Sequence, residues 1–235
     1  MKLYSFSVYG SDPKYSLGAV ANAELVLGLG PEFHAIFHCG PEVDPSLKAE
    51  IRKLGATVAE WNEDWHPNGM FWRFIPQLNE SFSHLLVRDT DSRITNRELE
   101  SISQWFESGA AGHIMRDHPR HGAAMLGGMW GMTAVAWKEN FDWSQIWRFG
   151  TERGDDQIFL KNFIYPKLYK DSMIHDSFFS FEIHKSIFPT PRIQGEYVGE
   201  QVEVDGSFDL ELREELIKTE ESRIRSWWLR NKSSL

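Results

Sequence analysis

Leu85-Leu86-Val87-Arg88-Asp89-Thr90-Asp91-Ser92-Arg93 is the stretch whose reading decides the fold. Three apolar residues give the pattern of a short buried strand, and the strand runs straight into two carboxylates one residue apart. In extended backbone, side chains alternate. Asp89 and Asp91 then point to one side, Arg88 and Thr90 to the other. Two carboxylates on one side repel unless something cationic lies between them, and a hard divalent ion with open positions for phosphate oxygens meets that need. Open α/β sheets hold their ligands just past the carboxyl ends of strands, where this pair falls. An isolated Asp-x-Asp also suits a solvated turn, with Asp91 or Ser92 capping the next element of the chain, so the surrounding chain has to decide.

Upstream, strand and helix patterns alternate. Leu3 to Gly10 alternates apolar and polar and ends in glycine, giving a first strand and then a loop over Ser11 to Ser16. Leu17 to Leu29 carries helical spacing and stops at Gly28-Leu29-Gly30. Phe33 to Gly40 is a second strand, Pro45 to Leu54 a short helix, and Thr57 to Trp61 a third strand. This rhythm predicts a sheet built from βαβ units. Asn62 to Asn68 is polar and reads as a loop. Gly69 to Leu78 reads as a helical segment disturbed by Pro76, and it carries Arg73 among aromatics. There the arginine either packs its stem or contacts phosphate.

Downstream, Thr95-Asn96-Arg97-Glu98 has the form of a capping box, and Leu99, Ile102, Trp105 and Phe106 share one helical face. A helix from about Asn96 to Glu107 would pin the acidic loop to the scaffold. Arg116-Asp117-His118-Pro119-Arg120-His121 closes a short strand. The spacing of its histidines fits no common zinc pattern, so they bond a ligand or the backbone. Ala123 to Met132 holds Gly127, Gly128 and Gly131, which would let backbone approach a ligand or a strand closely. Asp155 or Asp156 caps a helix that opens an apolar stripe, Ile158, Leu160, Phe163 and Ile164. Met173 to Ser177 ends in His175-Asp176. Glu196 to Gln201 is an edge or loop segment, and Asp209 to Leu229 a charged terminal helix.

Composition narrows the classes. At 235 residues, 41% hydrophobic and 14% aromatic, with ten Trp and sixteen Phe, the chain can bury a large core and line pockets for ring-shaped ligands. A net charge of −9 argues against nucleic acid as partner. The single cysteine, Cys39, and the lack of a signal-peptide pattern or a bilayer-length apolar run lead to the expectation of a soluble, cytoplasmic protein.

In order, the segments from the N-terminal strand and loop through Phe71-Trp72-Arg73-Phe74, Arg88 to Arg93, Arg116 to Pro119, Gly127 to Gly131, Asp156-Gln157 with Phe159-Leu160, and His175-Asp176 resemble the GT-A class of nucleotide-sugar-dependent glycosyltransferases. The set is similar to bacterial sugar transferases of polysaccharide loci and, more loosely, to the retaining galactosyltransferases. The resemblance implies an α/β, mostly parallel mixed sheet flanked by helices, as one domain over 1–235. Within it, about 1–95 would form the nucleotide half, about 96–205 the donor-sugar and acceptor half, and about 206–235 a C-terminal helix.

It further implies that Asp89, Asp91 and His175 hold Mn²⁺ or Mg²⁺ against the diphosphate of a nucleotide sugar. Tyr9, Gly10, Arg73, Arg88, Asp89, His118 and Gly128 would lie against the donor. Asp156 and Gln157 would face the sugar, with Asp155 beside them. The acceptor would be a glycan or a lipid-linked glycan, with peripheral membrane association through the terminal helix as a further expectation. The residues after His175, Asp176-Ser177-Phe178, depart from the His-x-x-Gly-x-x-Lys of the retaining group. A nucleotidyltransferase, or a carbohydrate-binding protein without turnover, is the alternative.

Overall fold

Alternation in β1 (Lys2–Val8) and β4 (His84–Arg88) sets up a sheet covered on both faces. Leu85 and Val87 enter one cluster with Leu3, Trp72, Phe74 and Trp130. Leu86 enters the other, with Tyr4, Phe6 and Trp105. A sheet that buries both faces favours near-continuous apolar runs, as in Leu85-Leu86-Val87 of β4, while β1 alternates and buries Ser5 and Ser7 as well. Each fully buried large side chain contributes roughly 1.5–3 kcal/mol. The computed structural model describes residues 1–61, 69–76, 81–149 and 152–231. The loop expected over Asn62 to Asn68 and the end of the segment expected to run to Leu78 lie outside them.

Among the described residues, α1 (Pro13–Gly28), β2 (Phe33–Cys39), α2 (Pro45–Lys53) and β3 (Thr57–Glu60) complete the first half. A 3₁₀ turn over Gly69–Phe74 leads to β4. Then come α3 (Asn96–Ser108), β5 (Gly112–Arg116), β6 (Met129–Thr133), α4 (Ala134–Asn140) and α5 (Asp155–Phe159). The short α6 (Tyr165–Leu168), β7 (Ser172–Asp176) and α7 (Leu210–Asn231) close the chain. The sheet order is β3-β2-β1-β4-β6-β5-β7. Pairing is parallel except around β6, which runs antiparallel to β4 and to β5. The sheet is therefore mixed and mostly parallel, as expected.

Two local findings refine the sequence reading. The first helix begins at Pro13, not Leu17. Asp12 caps it by accepting from the Lys14 amide at 3.0 Å, and Pro13 supplies the fixed φ of a first helical position. The glycine-rich stretch contributes a strand, β6, whose Gly131 lets the Leu85 carbonyl and the Trp105 ring come close. A Cβ there would lie 2.8 and 2.9 Å from them. One half of the predicted capping box is present, with Thr95 accepting from the Glu98 amide at 3.2 Å, while the Glu98 carboxylate pairs with Arg88 instead.

Candidate active site

The acidic loop is held from beneath by α1. Asn22 donates its side-chain amide to the carbonyls of Thr90 (3.2 Å) and Ser92 (2.9 Å). Gly18 faces the Thr90 carbonyl so closely that a Cβ would overlap it. From above, the Val202 amide donates to the Asp91 carbonyl at 2.8 Å, and Ser92 forms an antiparallel bridge with Gln201. The loop bearing the two carboxylates is thus fixed by backbone contacts on two sides, which spares it the entropy of ordering around a ligand.

Asp89 and Asp91 open onto a cavity of about 220 Å³ at the carboxyl ends of β1 and β4. Its walls include Ser7, Tyr9, Tyr15, Arg73, Asp156, Gln157 and Gln201. Arg73, on the 3₁₀ turn, joins the two acidic elements. Its Nη1 pairs with Asp89, and its Nη2 donates to Asp156 Oδ2 at 2.8 Å. Arg73 is 5% exposed, yet its Nε has no partner. Glycines clear the space around both acids: a Cβ at Gly128 would overlap the Asp89 carboxylate, and one at Gly127 the Asp156 carboxylate.

The electrostatics of the cavity reflect crowding. Burial and then the neighbouring Asp89 charge push the Asp91 carboxyl up to about 6, against the pull of Lys14 and Arg73. Burial also raises Asp156, with Arg73 opposing. Tyr9 is pushed up to about 12 by burial, so its hydroxyl stays protonated. Among the described residues, Asp91 has one side-chain hydrogen-bond partner, Gln201, whose Nε2 donates to Oδ2 at 2.9 Å. Asp89, paired with Arg73, and Asp91, which receives the Gln201 amide, are like charges held side by side, an arrangement that favours an incoming cation.

Of the residues expected at a site, Tyr9, Arg73, Asp89, Asp91, Asp156 and Gln157 line this one cavity, and Gly128 backs Asp89. Five others are elsewhere. Arg88 turns to the opposite face, pairs with Glu98 of α3 and donates to the Trp130 carbonyl at 2.9 Å. The same alternation that aims Asp89 outward sends Arg88 inward. His175 is not a partner of the acidic pair. It is buried in β7, where it bonds His113 at 2.9 Å and Gln104 at 3.0 Å, and burial lowers it to about 4. His118 bonds the Leu212 carbonyl of α7 at 2.9 Å and accepts from the Arg120 amide. The Asp155 carboxylate turns back to accept from the Glu152 amide at 3.2 Å. The Gly10 amide donates to Glu42 at 2.6 Å, an acid where a phosphate would have been expected.

Tyr15 also lies in the wall, because a helix starting at Asp12-Pro13 brings its first turn to the cavity mouth. Sequence reasoning missed Gln201 and Arg153 as cavity residues. Gln201 had no local signal, since its position is set by contacts with residues 110 positions away.

No protein-family model matches the chain, and no curated protein matches it. Solved structures do. S. aureus TarS superposes with a TM-score of 0.52 at 13% identity, covering 75% of this chain and 35% of that one. A shorter form, TarS 1–349 in complex with UDP-GlcNAc, gives 0.49 at 13% identity, over 82% of this chain and 60% of that one. The mannosyltransferase PcManGT from Pyrobaculum calidifontis, in complex with GDP-Man and Mn²⁺, gives 0.44 at 8% identity, over 66% and 49%. This chain therefore spans between about a third and three fifths of the length of these structures. At such identities the likeness speaks for the fold alone, and the fold of this chain is the GT-A-like mixed sheet shared with TarS.

Proposed function

We propose that the chain is a nucleotide-sugar-dependent glycosyltransferase whose donor lies in the cavity at the carboxyl end of the sheet, with Asp89 and Asp91 holding a divalent cation, Mn²⁺ or Mg²⁺. The observation that carries this reading is the convergence of Asp89, Asp91, Arg73, Asp156 and Gln157 on one cavity from separate segments of the chain. The residues fit an ion. Carboxylate oxygens are hard donors, and the two glycines make room for the Asp89 and Asp156 carboxylates; the unpartnered Arg73 Nε, an N–H donor, suits a phosphate oxygen beside the ion. Among the described residues no group of three or more His, Cys, Asp or Glu is placed to hold a metal ion, so diphosphate oxygens and water would have to complete the coordination that the two carboxylates begin. When bound, the cation neutralises charge on the departing diphosphate.

The chain's own residues supply the rest. Arg73 brings a second positive charge to the phosphate side while holding Asp156 in place. Asp156 and Gln157 face the sugar from the start of α5. As the bond from the sugar's anomeric carbon to the diphosphate oxygen breaks, an acceptor hydroxyl oxygen bonds that carbon. Its proton passes to a carboxylate, and Asp156, made more basic by burial, is the one in place. Asp117 is not available for this role, being locked between two arginines outside the cavity. A glycan or lipid-linked acceptor, and action on a polysaccharide, belong to this proposal. None of the described helices is long and apolar enough to cross a membrane. Glu42 on the Gly10 amide argues against the nucleotidyltransferase alternative, which wants a phosphate-binding loop there.

The test is nucleoside diphosphate release from a panel of UDP- and GDP-sugars, with and without Mn²⁺. Slow metal-dependent release from at least one donor, lost in Asp91→Asn, is the expected result. Carbohydrate binding indifferent to metal, with no release from any donor, would leave the non-catalytic alternative.

A further inference from the structure

Gln201 is a cavity residue whose chemistry the proposed function leaves unused. It lies in a segment fastened at several points. The Val198 amide donates to Asp117 at 3.0 Å. Gly199, at φ +84°, reverses the chain. Glu200 is 5% exposed and takes a bidentate pair from Arg213 of α7, at 2.5 and 2.8 Å. The Val202 amide is fixed to the Asp91 carbonyl. Few side chains reaching a cavity from a loop have their backbone so constrained, and the constraint delivers one amide beside one carboxylate.

From this geometry we infer that Gln201 is the third protein donor of the cation site, its Oε1 taking the place that the resemblance had assigned to His175. The inference rests on the proposed site. Two features of the contact support it. A side-chain amide presents nitrogen and oxygen in nearly identical positions, and a half-turn about its last torsion exchanges them. The nitrogen that now donates to Asp91 would be replaced by an oxygen at the same place. Adjacent oxygens around an octahedral ion at 2.0–2.1 Å are about 3.0 Å apart, and the Gln201-to-Asp91 contact is 2.9 Å. The amide and the carboxylate are thus spaced as neighbouring ligands. An amide oxygen adds a hard donor without a further negative charge, in a cavity already lined by Asp89, Asp91 and Asp156. Unlike a histidine or a further carboxylate, such a donor is neutral, and it comes from the far end of the chain.

The test measures binding of metal alone, by the free Mn²⁺ resonance signal and by calorimetry with Mg²⁺ and Co²⁺, on the full chain. Gln201→Leu should weaken Mn²⁺ roughly tenfold, in the range seen when groups around a metal are removed. Gln201→His should raise the Co²⁺-to-Mg²⁺ preference roughly tenfold, because imidazole favours the softer ion. A residue that only hydrogen-bonds Asp91 would not move that ratio. Thermal melts confirm that each variant folds. If both variants keep the wild-type Mn²⁺ affinity and ion preference while Asp91→Asn loses the metal, the assignment of Gln201 is overturned and the site stands. If Asp91→Asn binds Mn²⁺ as well as wild type, the site itself is overturned.

Discussion

Asp91 and Asp117 are both buried aspartates just past the carboxyl end of a strand, and their surroundings are opposites. Asp117, fully buried after β5, accepts from Arg97 (2.8 and 3.0 Å), Arg192 (2.9 and 2.6 Å), Ser177 (2.7 Å) and the Val198 amide (3.0 Å). Burial alone would raise its carboxyl, but the two guanidinium groups outweigh burial and hold it below the usual range. Asp91, 4% exposed, faces another acid, receives one amide and is raised. The lesson is that a buried acid with every lone pair engaged serves the fold, while one left short of partners beside a cavity waits for a ligand.

Exchanging the acids for their amides separates the two roles. Asp117→Asn leaves the Arg97 guanidinium without its carboxylate and Arg192 with Glu220 alone, and should cost about 3–5 kcal/mol of stability. A fall in the urea midpoint checks this. Asp91→Asn removes one of two crowded like charges. Its midpoint should hold or rise, while donor turnover drops by about 10²–10³-fold, a size typical of losing a charge-stabilising group. If Asp91→Asn unfolded the chain and Asp117→Asn did not, the contrast between the two acids would be reversed.

Acidity gives a smaller and graded effect. The Asp91 carboxyl is neutral below about pH 6, and a proton competes directly with a cation. Mn²⁺ affinity should be flat above that pH and fall about tenfold per pH unit below it. The sign is opposite for stability. A carboxyl raised in the folded state repels less once protonated, so this group's contribution improves as pH drops from about 6 toward its unfolded value. Calorimetric titration of Mn²⁺ between about pH 5 and 8 checks the first statement. The smallest effect is at the capping box. Thr95→Ala removes the acceptor for the Glu98 amide and should cost about 1 kcal/mol in thermal stability. Turnover is expected to change little, because α1 and the Gln201 segment also hold the acidic loop.

The same pair of aspartates shows what the sequence makes legible. Asp89 and Asp91 were readable because three apolar residues announce a strand and alternation fixes which side chains leave on which face. The same rule, carried one residue back, puts Arg88 on the other face against Glu98, where it is found. Thr95 and Glu98 were readable because a cap is a local interaction. β6 was hidden, since Gly127, Gly128 and Gly131 carry little strand propensity, and only the Leu85 carbonyl, Trp105, Asp89 and Asp156 explain why glycine is needed at those places. His175 was misplaced because order along the chain does not say which face of β7 a side chain occupies. Gln201 was invisible for a related reason: its site role comes from long-range fastening through Arg213, Asp117 and Asp91.

The central claim is that the Asp89–Asp91 couple grips a metal-bound nucleoside diphosphate. Isothermal titration of UDP and of GDP into wild type and Asp91→Asn, each with and without Mn²⁺, tests it most directly. Binding of at least one nucleotide that requires Mn²⁺ and disappears in Asp91→Asn is the expected result. Nucleotide binding of equal strength in both proteins, or unaffected by Mn²⁺, would contradict it.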